Sequence, residues 1–140
     1  MEKKVHILVV DDEESISEFV KRVLELEGYD VTTTADGESA LARLSEQAPD
    51  LVLLDIKMPG LNGYQVLEHI RKTSSVPVIM LTAVREQTAM DSSLKLGASD
   101  YIIKPFSVKV LIARVKAKLR RAGLERPQRN SQIENRDSSS

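Results

Sequence analysis

The chain is 140 residues long, 41% hydrophobic and 29% charged, with a formal net charge of −1. That length suits one domain with a substantial core; the composition is that of a globular soluble chain, not a disordered one, and so small a charge gives no global field for nucleic acid or an anionic membrane. With no cysteine, disulfides, thiolate metal sites and a cysteine nucleophile are excluded together.

The opening "MEKKVHILVV" is basic and then apolar, and its apolar run stops at Asp11 and Asp12 without a small-residue cleavage site. It is too short to span a bilayer. Residues 5–10 are therefore predicted as a strand, and the protein as cytoplasmic with no membrane contact. Ile16, Phe19, Val20, Val23 and Leu24 recur at helical spacing, and Gly28 ends that helix. A second strand is expected over residues 29–34. Asp36 then caps and opens a second helix carrying Ala40, Leu41 and Leu44.

The next run, "LVLLD" at residues 51–55, puts four apolar residues together without alternation. That pattern marks a strand buried on both faces, yet it ends on a carboxylate, where charge is costly. Asn62 with Gln65 resembles a capping box for a third helix carrying Val66, Leu67 and Ile70. A fourth strand follows at residues 76–81. The fourth helix, residues 86–96, has a thin apolar stripe weakened by Ser92 and Ser93. Residues 101–103 read as the fifth strand, and Ser107 opens a last helix with Leu111, Ile112, Val115 and Leu119 on one face. From about Gly123 the chain has no aromatic residue and almost no aliphatic one, which predicts a flexible tail or interdomain linker over residues 123–140. Five strands alternating with five helices predict an α/β fold, a doubly wound parallel sheet. No GxxxxGK[ST] phosphate loop is present.

In such sheets ligands bind outside the carboxyl ends of the strands. Here strand 1 runs into Asp11 and Asp12, strand 3 into Asp55, strand 4 into Thr82 and Ala83, and strand 5 into Lys104 and Pro105. If those strands are neighbours, three carboxylates, a hydroxyl and an ammonium converge. Clustered carboxylates raise one another's pKa, and a hard divalent cation relieves the repulsion; an all-oxygen site with several waters suits Mg²⁺. Taken singly, Asp11 and Asp12 would be helix N-caps, Asp55 a strand terminator, Thr82 a loop residue, Lys104 a solvated charge and Tyr101 a packing residue. Taken together they are a site. His6 and His69 have no partners at ligand spacing and read as incidental.

The segments "VVDDE", "DIKMPGLNG", "LTA" and "YIIKPF" resemble, in order and spacing, the motif set of response-regulator receiver domains of two-component signalling. The likeness runs from about Val5 to Arg121 and implies a flavodoxin-like (βα)5 domain over residues 1–122 with strand order 2-1-3-4-5. It implies that Asp55 accepts a phosphoryl group from a sensor histidine kinase. It also implies that Asp12, Asp55 and the Lys57 carbonyl bind Mg²⁺ directly and Asp11 through water, with Glu13 supporting the metal's water shell. Lys104 would pair with a phosphoryl oxygen, Thr82 and the Ala83 amide would donate to the others, and the Lys104–Pro105 bond would be cis. Thr82 and Tyr101 would form the switch, while Lys57 and Val84 would flank the path of a hydrolytic water. The domain would catalyse only its own phosphorylation and dephosphorylation.

Two other classes are weighed against this one. A flavin carrier of the same topology needs a Ser/Thr/Gly-rich loop after strand 1, where "DDEES" would repel a phosphate. An aspartyl phosphatase needs Asp-x-Asp there, and adjacent Asp11 and Asp12 point alternate ways. The C-terminal part resembles OmpR/PhoB-type receivers, which implies transcriptional output through a DNA-binding domain this chain lacks; a free-standing receiver acting by protein contact is the alternative. Such relatives dimerise through helix 4, strand 5 and helix 5. Asp100 and Arg114 keep one pairing of that interface. Met90 and Val110 stand where a basic and an acidic partner are common, and Lys95 would face Lys116. Met90 is otherwise read as core edge one turn before Leu94. The receiver itself is expected to touch no nucleic acid.

Overall fold

Five strands and five helices alternate along the chain in the computed structural model, which describes residues 4–84 and 87–124. The strands are β1 (His6–Val10), β2 (Asp30–Thr34), β3 (Leu51–Leu54), β4 (Val78–Thr82) and β5 (Asp100–Ile103), and the helices are α1 (Glu14–Leu26), α2 (Gly37–Glu46), α3 (Gly63–Thr73), α4 (Gln87–Lys95) and α5 (Val108–Arg121). All neighbouring strands are parallel, in the order β2-β1-β3-β4-β5. That is the flavodoxin-like arrangement expected. Residues 85–86 and the expected tail beyond residue 124 lie outside the described residues, so the Glu86 start of the fourth helix does too.

The sheet is covered on both faces, which is why β3 needs no alternation. Side chains of period two divide the core. Ile7, Val9, Leu51, Leu53, Ile79 and Leu81 meet Val20 and Leu24 of α1 and Leu111, Val115 and Leu119 of α5. Leu8, Val10, Val52, Leu54, Val78 and Met80 meet Ala40 of α2 and Val66, Leu67 and Ile70 of α3. Ile112, placed on the core face by sequence, is only half-buried.

Local chemistry sets the helix ends. Gly28, at φ +98°, donates to the Glu25 carbonyl while Tyr29 donates to that of Leu24, the paired closure that a left-handed residue permits. Asp36 caps α2 through Ser39, and Asn62 and Gln65 make the reciprocal capping box. The N-cap of α1 is Glu13, with no side-chain capping bond, so neither Asp11 nor Asp12 plays that part. The thin stripe of α4 is Ala89 and Ser93; Leu94 is 51% exposed, while Met90 is half-buried. A small Ser93 fits there because its hydroxyl bonds back to the Ala89 carbonyl. No helix among the described residues is long and apolar enough to cross a membrane.

Candidate functional site

Register brings the carboxylates together. Val10 of β1 is opposite Leu54 of β3, so Asp11 and Asp55 each leave the sheet one residue later, side by side, with the Asp55 amide bonded to the Val10 carbonyl at 2.9 Å. On the other side, Thr82 of β4 is opposite Ile103 of β5, and the Lys104 amide bonds the Thr82 carbonyl at 2.8 Å. The Lys104–Pro105 bond is cis, as expected.

Three charged side chains are buried at this end: Asp11, Asp55 and Lys104, 2%, 5% and 9% exposed. Lys104 Nζ lies 2.7 Å from Asp11 Oδ2, 3.1 Å from Glu13 Oε1 and 3.6 Å from Asp55 Oδ2. Asp11 Oδ1 accepts from the Glu13 amide, and Asp55 Oδ1 accepts from the Ile56 amide at 2.8 Å. Burial pushes the Asp11 carboxyl above its ordinary range, and the charge of Asp55 adds to that; the Lys104 and Glu13 hydrogen bonds work against it without cancelling it. Burial alone would pull the Lys104 ammonium down, yet its bond to Asp11 and the charges of Asp55 and Asp11 hold it above its ordinary value.

Asp12 is exposed and completes the acidic set: one oxygen from each of Asp11, Asp12 and Asp55 falls within 4.8 Å of the others. These hard donors, open to water beside Asp12, form an acidic pocket that could hold a metal ion. Asp12 shares a cleft with Lys57, Ile56 and Asn62.

A family model described as the response regulator receiver domain matches residues 7–116. The chain belongs to that family. Among relatives of this receiver, a "Probable transcriptional regulator ycf27" of Guillardia theta is 50% identical over 121 residues, covering 86% of this chain and 48% of that protein. A "DNA-binding response regulator MtrA" of Mycolicibacterium paratuberculosis is 49% identical over 115 residues, or 82% and 51% of the two chains. The receiver thus spans about half the length of the curated relatives it matches. In solved structures, the Francisella response regulator 1452 receiver domain superposes with a TM-score of 0.81 at 36% identity, covering 85% of this chain and 99% of that one. A CheY-like receiver domain protein from Methanospirillum hungatei gives 0.83 at 33%, covering 86% and 98%.

Thr82 is the last residue of β4, not a loop residue, and is buried; its Oγ1 accepts from the Val84 amide at 3.4 Å. Ala83 is exposed beside it. Tyr101 is half-buried against the α2–α3 side of the core, and its hydroxyl donates to the Val84 carbonyl at 2.6 Å. Lys57 is exposed. Asp100 and Arg114 pair within the chain at 2.7 Å, with Lys118 3.9 Å from the second oxygen of Asp100. His6 Nε2 lies 2.8 Å from Thr32 Oγ1 and His69 Nδ1 donates to the Gln65 carbonyl; His6 begins β1, at the opposite end of that strand from Asp11.

Two contacts escaped sequence reasoning: that of Glu13, expected at the metal's water shell, with Lys104, and that of Gly63 with the Asp55 backbone. Glu13 is directed at Lys104, and the signal for it was a poor capping residue at an N-cap. Gly63 opens α3, buried. A Cβ there would overlap the Asp55 carbonyl oxygen and fall 2.8 Å from Ile56 Cα and 2.9 Å from the Asp55 carbonyl carbon. A glycine at the first turn of a helix, where better helix formers are available, was the available sign.

Proposed function

We propose that this receiver is a phosphorylation-driven switch of a two-component system, with Asp55 as phosphoacceptor. The observation that carries the reading is the buried grouping of Asp11, Asp55 and Lys104, open to solvent beside Asp12. An Asp55 oxygen attacks the phosphorus of a kinase phosphohistidine in line; the P–N bond breaks, its electron pair stays on the imidazole nitrogen, which takes up a proton, and an acyl phosphate remains on Asp55. Lys104, 3.6 Å from Asp55, neutralises charge on one phosphoryl oxygen, and Thr82 with the Ala83 amide donates to the others. The cofactor we assign is Mg²⁺, held by Asp12, Asp55 and the Lys57 carbonyl and through water by Asp11; when bound it shares the phosphoryl charge.

The phosphoryl group then favours one arrangement of Thr82 and Tyr101 over another, which changes the α4–β5–α5 face. Residues 1–122 are the receiver and 123–140 a tail or interdomain linker. The names and double length of the curated relatives support transcriptional output through a DNA-binding domain. The test is intact-mass analysis with Mg²⁺ and acetyl phosphate. One phosphoryl group should add to the wild type and none to Asp55→Ala; equal labelling of the two rejects the assignment.

Phosphoryl lifetime should depend on Lys57. Two residues beyond the acceptor and exposed, its long cationic chain can lie over the phosphoryl oxygens and obstruct a hydrolytic water, while apolar Val84 cannot orient one. Lys57→Asn is expected to shorten the half-life several-fold; equal half-lives mean that Lys57 points to solvent.

The phosphorylated receiver should dimerise symmetrically through α4, β5 and α5. Val110 is 41% exposed and Met90 half-buried. A buried side chain of that size is worth ~1.5–3 kcal/mol, against ~0–1 kcal/mol for an exposed ion pair. Lys95 facing Lys116, and the closure of Asp100 on Arg114 within one chain, oppose the association. Sedimentation of the phosphorylated form should therefore show a dimer with little salt dependence, lost in Met90→Lys. A monomer, or a dimer that Met90→Lys leaves intact, removes this face from the assembly.

A further inference from the structure

Glu13 stands at the N-cap of α1 with extended backbone (φ −90°, ψ 105°) and makes no side-chain capping bond. Ser, Thr, Asn or Asp would satisfy an orphan amide there. The carboxylate of Glu13 is instead extended to Lys104, 3.1 Å from Nζ. The ammonium has three N–H donors. Its contacts to Asp11 and Glu13 are short, at 2.7 and 3.1 Å, and that to Asp55 is longer, at 3.6 Å. The group that must serve the phosphoryl oxygens is thus drawn toward the α1 side of the site before any phosphoryl group is present.

We propose that Glu13 is a positioning residue that holds Lys104 back from Asp55 in the resting receiver and so sets a slower rate of phosphorylation. The inference rests on the reading of Asp55 as phosphoacceptor. When the phosphoryl group arrives, the Lys104 ammonium must shift from the α1 side of the site toward a phosphoryl oxygen on Asp55. Asp11 is buried and holds its share tightly, whereas the Glu13 side chain is 61% exposed and is readily resolvated, so Glu13 is the partner that yields. An ion pair with one exposed member is worth at most about a fivefold factor in an equilibrium, which bounds the effect. Glu13 tunes the reaction; it does not make it possible.

The test compares Glu13→Gln, which keeps the length and removes the charge, with Glu14→Gln, which removes the same charge from the exposed first residue of α1. At saturating Mg²⁺, labelling of the full chain by acetyl phosphate should run about two- to fivefold faster in Glu13→Gln and at the wild-type rate in Glu14→Gln. The gain should vanish in a Lys104→Met background, the signature of two residues acting as one unit. In metal-free, unphosphorylated protein, the ¹⁵N resonance of the Lys104 ammonium should move in Glu13→Gln and stay in Glu14→Gln. An unchanged or slower rate overturns the proposal, as does an equal gain in Glu14→Gln, a gain that survives Lys104→Met, or an unmoved resonance. Labelling that persists in Asp55→Ala would instead overturn the reading beneath it, and the metal-free resonance does not depend on that reading.

Discussion

Gly63→Ala should destabilise the fold by about 3 kcal/mol and slow phosphorylation of Asp55, although residue 63 carries no chemistry. The added methyl would meet backbone, not a yielding side chain: the Asp55 carbonyl group and Ile56 Cα. The α3 start is also tied there by the Gly63 amide, which donates to the Ile56 carbonyl at 2.8 Å. Overpacking of a tight site costs typically ~1–3 kcal/mol, and the upper end applies because neither backbone can rotate away. For a domain of this size that is a fall in Tm of roughly 10 °C. The backbone that would have to shift carries the nucleophile, so rate and stability should fall together. Gly28→Ala is the contrast. It meets nothing within 4 Å but keeps φ at +98°, a strain of ~1–2 kcal/mol, and it should leave the labelling rate alone. Urea unfolding and labelling rates of the three proteins decide the matter. A Gly63→Ala protein within ~0.5 kcal/mol of wild type, the range of ordinary surface changes, would show that the site is not so tightly packed.

The fold was legible because its two signals are strong and local. The unalternating run Leu51–Leu54 declares a doubly covered strand, and the stripes of α1, α3 and α5 declare the helices that cover it. Strand limits moved by one or two residues where backbone bonding overrides side-chain pattern: Val76 and Pro77 precede β4, and Thr82 and Asp100 were drawn into strands by parallel pairing. The acidic residues and Lys104 were legible as a set because each follows a strand at the same end of the sheet. What escaped depends on distance between segments far apart in sequence. Nothing near Glu13 announces a lysine 91 residues away. Nothing near Gly63 announces how closely α3 crosses the Asp55 carbonyl. The surface of α4 was misread because small residues, Ala89 and Ser93, sit against the sheet while Leu94 faces out, the reverse of what hydrophobicity suggests.

Removing the ammonium should make stability depend steeply on pH. In the wild type, Lys104 is held above its ordinary pKa by its bond to Asp11 and the neighbouring carboxylates, so its contribution is complete at neutral pH and is lost only in alkali, as pH climbs from its unfolded value through the raised folded one. Asp11 runs the other way. Its carboxyl is raised in the fold by burial first, so the folded state binds its proton more tightly than the unfolded state does, and stability falls as pH rises through the interval between the two values. Lys104→Met deletes the bond that opposes this rise, leaving Asp11 buried beside Asp55 without its cation. Breaking a buried pair by removing one member costs ~3–5 kcal/mol, and that cost applies only while Asp11 is ionised. Lys104→Met is therefore expected to be less stable than wild type by about that amount at pH 8 in EDTA. It should regain stability on acidification toward pH 5, at up to ~1.4 kcal/mol per pH unit for one proton. Mg²⁺ at pH 8 should restore part of the loss, since a cation bound only to the folded state stabilises it. Urea unfolding at the two pH values, with and without Mg²⁺, reads all three effects. A deficit that is the same at pH 5 and pH 8 would mean that lost packing of the lysine stem, and not the uncompensated Asp11 charge, is what the substitution exposes.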